Sequence, residues 1–415
     1  MSEKAVPKLN SYDKTLMSTP DKSISVRAVI LCSYAVGKSE VRNLSLCADV
    51  LSAVDCMRAL GASITLEGNT AHVIGAPFRS CSLDCGNSAT TARLLIGLLS
   101  GLNGVFGIDG DESLRARPMR RIIDPLRLMG ARIEDTDGHL PVRVIGSALG
   151  GLEYFMPISS AQVKSALLLA GLNCSSSVTV TEKVKTRDHT EIMLSKINGE
   201  VSVADNTVTC RNSVLFGNDI TVVGDISAAA YPLAAALALH GSCTVKSVGL
   251  NPTRTAFINV LRKIGARVSI DNFTDCDEPY GDITVSGGKL RPIIIGENEV
   301  PLLIDEIPVL CALACHIDGV SVIEGAGELR HKESDRINTT VAALRSLGAD
   351  IDQRGDSIVV CGGKPLVFGK VDSYGDHRIA MAAAVAAAAG EGCVIQNADC
   401  VAVSYPSFFE EVIGV

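Results

Sequence analysis

Five stretches of the chain are versions of one another, and this repetition constrains the fold more than any other feature. They run Met57 to Ile64, Leu126 to Ile133, Leu194 to Val201, Leu261 to Val268 and Leu344 to Ile351. Each reads as the last turn of an amphipathic helix, a Gly or Asn stop and the opening of a strand, because Gly and Asn tolerate the left-handed backbone that ends a helix. The stops are Gly61, Gly130, Asn198, Gly265 and Gly348, spaced by 69, 68, 67 and 83 residues. Alternation then sets in, as in Ile64 to Glu67 and Val268 to Asp271. A second short strand follows, such as Ala71 to Ile74 or Ser357 to Val360. A sixth, fainter copy ends in a helix around Ser407 to Val412, so six units fill the 415 residues. The period exceeds the roughly 20–50 residues of short solenoid repeats. The unit therefore reads as a small αβ module duplicated several times, three to each of two similar lobes. Small-molecule sites favour the cleft between such lobes.

Composition narrows the function. With 47% hydrophobic and 20% charged residues, 38 Gly and 15 Pro, the chain is neither disordered nor collagen-like. A net charge of −8 argues against nucleic-acid binding, which needs a basic footprint. The absence of Trp and only 4% aromatics argue against base-stacking platforms. Fourteen Cys are scattered, with Cys81/Cys85 and Cys311/Cys315 the closest pairs, and read as reduced core thiols rather than a metal or disulfide framework. The longest apolar run, Ile379 to Ala389, is about half a membrane span. No apolar signal core follows Met1 to Lys4. The expectation is a soluble, cytoplasmic protein without a membrane partner.

Polar and cationic residues gather where strands or loops run into helices. Asp21 or Ser23 can cap a helix running toward Ala35, with Lys22 at its anion-favouring start and Arg27 on the face of Ser23. Gly86 to Arg93 opens an apolar helix with Gly, small hydroxyls and an Arg, a plausible phosphate or carboxylate cradle that is not a Walker loop. Leu114 to Arg121 holds four Arg, which reads either as a solvated charge run or as a bidentate anion grip. Ser159 to Lys164, Thr186 to Glu191, Ile304 to Glu306, Arg330 to Arg336 and Gly375 to Arg378 continue the series. Asp305, between apolar neighbours, is a candidate base. Glu333 and Arg336 are spaced to form an i,i+3 pair, the plainer account of that motif. A set present in successive repeats, each near a helix start, is harder to assign to surface decoration than any member alone.

Taken in order, Lys22 to Arg27, Gly86 to Arg93, Ala116 to Pro118, Ser160 to Gln162, Arg187 to Thr190, Ile304 to Glu306, Lys332 to Arg336 and Gly375 to Arg378 resemble the signature set of the 5-enolpyruvylshikimate-3-phosphate (EPSP) synthase family, with Tyr405 and Pro406 extending the match. The versions at Ser160 and Arg187 are similar to the class II branch. The resemblance implies an α/β fold, a two-lobed inverse αβ barrel of six βαβαββ units, three per lobe. One lobe would span 21–224 and the other 1–20 with 225–415, with the active site in the cleft and the lobes closing on the substrates.

The reaction it implies moves the enolpyruvyl group of phosphoenolpyruvate (PEP) to the 5-hydroxyl of shikimate 3-phosphate and releases phosphate. No cofactor, metal or covalent enzyme intermediate is implied, and the expected state is a monomer. By resemblance, shikimate 3-phosphate would meet Lys22, Ser23, Arg27, Ser160, Ala161, Gln162, Arg187, Asp305 and Lys332. PEP would meet Lys22, Asn87, Ala89, Arg117, Gln162, Glu333, Arg336 and Arg378. Asp305 would act at the hydroxyl and Glu333 at C3 of PEP, with Lys22 as proton partner and His377 in support.

Three positions depart from the family pattern. Val26 stands where His is common, and Val403 where class I enzymes often carry Lys. Ala89 stands where many members have Gly against PEP, which predicts weak binding of the longer inhibitor glyphosate. Two alternatives remain. The related transferase acting on UDP-N-acetylglucosamine would need a Cys in the Leu114 to Pro118 loop, and no Cys lies between Cys85 and Cys174. A non-catalytic anion-binding relic would have lost Asp305, Glu333 and His377.

Overall fold

The computed structural model describes residues 2–415. It is organised as two compact units: Pro20–Val222, and the segment up to Thr19 together with Val223–Val415. The expected βαβαββ modules are present, three to a unit. In the modules that open with Cys81–Asp84, Leu152–Phe155 and Ile294–Ile295 the first two strands run parallel, separated by helix, and a further helix leads into an antiparallel hairpin, while Lys38–Arg42 and Ser242–Gly249 take their parallel neighbours Ile220–Thr221 and Asp13–Met17 from elsewhere in the chain. The module Cys81–Asp84, Ala89–Ser100, Val105–Asp109, Arg120–Leu128, Arg132–Thr136 and His139–Ile145 shows the pattern.

The helix stops have the conformation expected. Backbone φ is +122° at Gly61, +95° at Gly130, +69° at Asn198, +98° at Gly265 and +81° at Gly348. An L residue other than Asn or Gly adopts that region only at a cost. The sixth module is faint in sequence because it is incomplete. Its sheet has three strands, Gly369–Asp372, Cys393–Gln396 and Glu3–Val6, and the last is borrowed from the start of the chain, with Glu3 opposite Gln396. Its second helix is a short π-type turn, Phe409–Ile413, ended by Gly414 at φ +94°.

The first helix of each module is the buried one. Every residue of Ile226–Ala238, Ile307–Ala314 and His377–Ala388 is buried, and these three helices pack on one another. A helix apolar on all sides has to be enclosed, which accounts for the Ala-rich run after Ile379. In the unit Pro20–Val222 the helices Lys22–Tyr34, Ala89–Ser100 and Ala161–Gly171 play the same part. The last two approach so closely that any side chain at Gly97 would collide with the backbone of Ala166. The polar motifs at Lys22, Asn87, Ser160, Asp305 and Asp376 lie at or just before the N-termini of these enclosed helices, and those at Arg117, Arg187 and Arg336 at or before the second helices. The Cys residues are all free and mostly buried. Among the described residues no helix is long and apolar enough to cross a membrane.

Candidate active site

In the unit Pro20–Val222 the candidate residues stand at the starts of successive helices. Asp21 caps Lys22–Tyr34 by accepting from the Ile24 amide at 2.8 Å. Lys22, at the first helical position, donates to Asp49 at 2.9 Å, and both side chains are largely shielded. Arg27 is buried one turn further in. Its Nε donates to Thr190 Oγ1 at 2.8 Å, Nη1 to the Ser23 carbonyl at 3.0 Å and Nη2 to Ser165 Oγ at 3.1 Å. The two hydroxyls lie 2.7 Å apart. Arg27 thus ties three helices of the unit together.

Ser88 caps the helix Ala89–Ser100 by accepting from the Thr91 amide at 3.3 Å. Asn87 is left to bridge: it donates to Asp111 at 2.8 Å and accepts from Arg117 at 2.6 Å. Ala89 is buried at the first helical position. Arg93 donates to the Gln162 carbonyl oxygen and, at 3.1 Å, to the Pro118 carbonyl, while the Gln162 amide donates to Thr90 at 3.0 Å. The Arg run splits. Arg115 and Arg120 are exposed and paired with Asp109 and Asp137 at 2.6 Å, whereas Arg117 is 5% exposed. The solvated-charge reading thus fits Arg115 and Arg120 and does not fit Arg117. Ser160 precedes the helix that begins at Ala161 and makes no capping bond. Arg187 lies half-buried just before the helix His189–Lys196.

The other unit concentrates charge around one guanidinium. Arg336, 1% exposed, opens the helix Arg336–Arg345, which Asp335 caps. Its Nη1 lies 3.1 Å from Asp305, Nη2 lies 2.6 Å from Glu333, and Nε lies 2.8 Å from the wholly buried Asp376. Burial works against the charge on Arg336, but Asp376, Glu333 and Asp305 outweigh it and hold the group firmly protonated. The i,i+3 meeting of Glu333 and Arg336 is real, although Glu333 precedes the helix. Asp305 is not walled in by apolar groups as the sequence suggested: its side chain is 16% exposed and faces a cation.

Asp376 also caps His377–Ala388, accepting from the Arg378 amide at 2.9 Å, and lies 3.8 Å from His377 Nδ1. Arg378 sits over the Tyr231 ring, 6.0 Å from its centroid. Burial pushes the Tyr231 phenol up to about 12, with Arg378 pulling the other way. Lys332, half-buried, follows the short helix Gly327–His331.

Sequence reasoning did not assign Asp49, Ser165, Thr190 or a buried group at the start of Ile226–Ala238: Asp225, Ser227 and Arg254, joined by Glu306. The module itself held the signal for that last group. Arg254 precedes the second helix of its module as Arg117 and Arg187 precede theirs. Asp225 caps a first helix as Asp21 and Asp376 do.

Residues 8–412 match the family model of EPSP synthase (3-phosphoshikimate 1-carboxyvinyltransferase). The 3-phosphoshikimate 1-carboxyvinyltransferase of Shouchella clausii is 45% identical over 409 residues, covering 96% of this chain and 95% of the relative. That of Geobacillus kaustophilus is 46% identical over 405 residues, covering 94% and 95%. The fold is similar to the EPSP synthase of Acinetobacter baumannii at TM-score 0.85 and 36% identity, covering 98% of this chain and 97% of that one. It is also similar to the enolpyruvyl transferase NikO of Streptomyces tendae at TM-score 0.81, where 17% identity speaks for the fold alone. With its modules, its motifs in order and these likenesses over nearly its whole length, the chain belongs to the EPSP synthase family.

Proposed function

We propose that the groups described in both units act on the two anions of the family's reaction, shikimate 3-phosphate and PEP. The chain is an enolpyruvyl transferase, a 3-phosphoshikimate 1-carboxyvinyltransferase. The residue roles that follow are our reading. Ser23, Arg27, Ser160, Ala161, Gln162 and Arg187 hold shikimate 3-phosphate, with Lys22, Asp305 and Lys332. Lys22, Asn87, Ala89, Arg117, Gln162, Glu333, Arg336 and Arg378 meet PEP.

The shikimate 5-hydroxyl oxygen attacks C2 of PEP and its proton passes to Asp305. C3 gains a proton from Glu333, with Lys22 as its partner and His377 in support. The C2–O bond to phosphate then breaks, C3 gives its proton back, and the enol ether remains. Carboxylates beside the developing cation at C2 also stabilise it. One observation carries this reading: Asp305 and Glu333 are held on the two terminal nitrogens of the same guanidinium. Two acid–base groups fixed on one rigid fork are positioned as a pair.

Phosphate release from PEP and shikimate 3-phosphate, with each omitted in turn, tests the reading. Release must require both. Release with UDP-N-acetylglucosamine as acceptor instead would overturn it, although that chemistry by resemblance needs a thiol in the Leu114 to Pro118 loop, which has none. The reading includes a monomer working in the cytoplasm and poor inhibition by glyphosate because of the Ala89 methyl.

A further inference from the structure

Ser227 lies at the start of the fully buried helix Ile226–Ala238 and joins three groups. Its hydroxyl accepts from Arg254 Nη2 at 2.6 Å and donates to Glu306 Oε1. Its backbone carbonyl accepts from Arg378 Nη1 at 3.2 Å. The same Arg254 nitrogen lies 3.6 Å from Glu306 and 3.7 Å from Asp225. Arg254, Ser227 and Glu306 are each at least 95% buried.

The cluster is therefore a set of charges with little access to water, and such a set persists only where its groups are paired and hydrogen-bonded. Two of its outlets lead to the proposed chemistry. Glu306 is the chain neighbour of Asp305, in the turn between the helices Val300–Leu303 and Ile307–Ala314. Arg378 is one of the proposed PEP contacts.

We infer that Arg254 is a positioning residue: acting through Ser227 and Glu306, it fixes the turn that carries Asp305 and the place of the Arg378 guanidinium. This rests on the roles proposed above for Asp305 and Arg378. Arg254 has no direct part in binding or proton transfer. Its effect is on geometry, and misplacing a reacting group by even an ångström costs rate steeply.

The test compares the wild type, Arg254→Met, Glu306→Gln and the double variant. It measures kcat and the KM of PEP by phosphate release, the Kd of shikimate 3-phosphate by calorimetry, and thermal melting. Arg254→Met should lower kcat by about 30-fold and raise the KM of PEP, with the Kd of shikimate 3-phosphate unchanged. Because the two residues act as one unit, the double variant should lose no more than the worse single variant. A folded Arg254→Met with wild-type kcat and PEP KM, whatever its melting temperature, would overturn the inference. So would losses that multiply in the double variant. If Arg254→Met does not fold, the double variant, which removes one cation and one anion together, decides by the same two constants. A wild type that released no phosphate would sink the functional reading instead, while an active wild type with unimpaired variants sinks this inference alone.

Discussion

In the unit Pro20–Val222, Arg27, Arg93 and Arg117 are aimed by hydroxyl, amide and carbonyl oxygens: Thr190, Ser165, Gln162, Asn87 and the carbonyls of Ser23 and Pro118. In the other unit Arg336 is gripped by Asp305, Glu333 and Asp376. A neutral oxygen fixes where a guanidinium points without cancelling its charge, which suits a group that must meet an anion. A carboxylate offsets the charge and brings a proton acceptor with it, which suits Arg336, a group that orients acid–base partners as well as meeting PEP. The same module has been used in two ways, and the difference lies in who partners the Arg rather than in how many Arg there are. Carboxylates do partner other cations of the first unit, Lys22 with Asp49 and the buried Lys164 with Glu182 and Glu191, and Lys22 is the residue proposed there to share in proton transfer.

The contrast breaks most visibly if the carboxylates are removed. Asp305→Ala and Glu333→Gln should each lower kcat by about 10²–10⁴-fold, the usual worth of a positioned acid or base, while the substrates still bind. Steady-state kinetics with each substrate varied would show it. A rise in KM with kcat intact would take either residue out of the chemistry.

Next in size is the cost of opening the Arg336 cluster. Arg336→Met leaves Asp376 buried with its main cation gone, and breaking a buried pair from one side costs about 3–5 kcal/mol. Urea denaturation should show the midpoint falling at an unchanged slope. Loss of activity without loss of stability would mean that Asp376 is satisfied by Ser334 and its capping bond alone.

On the other side of the comparison the effects should be smaller and confined to binding. Thr190→Val removes the acceptor of Arg27 Nε, a hydrogen bond to a charged group worth about 1.5–3 kcal/mol. Calorimetry should find shikimate 3-phosphate bound more weakly, with kcat at saturation close to that of the parent. A fall in kcat as large as that of Glu333→Gln would erase the division of labour between the units.

How far the sequence could be read follows the range of the interactions. The helix stops at Gly61, Gly130, Asn198, Gly265 and Gly348 were legible because a left-handed φ is a local demand that few residues meet. The cap of Lys22–Tyr34 was narrowed to Asp21 or Ser23 by a similarly local rule, and it is Asp21. Partners were not legible. Ser165 and Thr190 lie 138 and 163 residues from Arg27 in the chain, and no spacing rule links them. The sixth module was faint because one of its strands comes from Glu3–Val6, at the far end of the sequence. Asp305 was misjudged in its surroundings, since its apolar neighbours in sequence are not its neighbours in space, where Arg336 is.

The smallest predicted effect concerns Ala89, where one methyl group is at stake. Ala89 is buried at the first turn of its helix, next to Asn87, which Arg117 holds. A methyl added to a packed pocket costs about 1–3 kcal/mol when it overpacks, and the cost rises with the length of what must fit against it. PEP, the shorter molecule, should tolerate it, and glyphosate should not. Ala89→Gly should therefore lower the glyphosate Ki by about fivefold, the low end of that range, and leave the KM of PEP nearly unchanged. Phosphate release with an inhibitor titration measures both. A parent Ki at or below the KM of PEP would remove the premise. An unchanged Ki in Ala89→Gly would place the discrimination at another residue, and a fall in both constants together would show that the methyl limits the pocket for any anion rather than selecting between two.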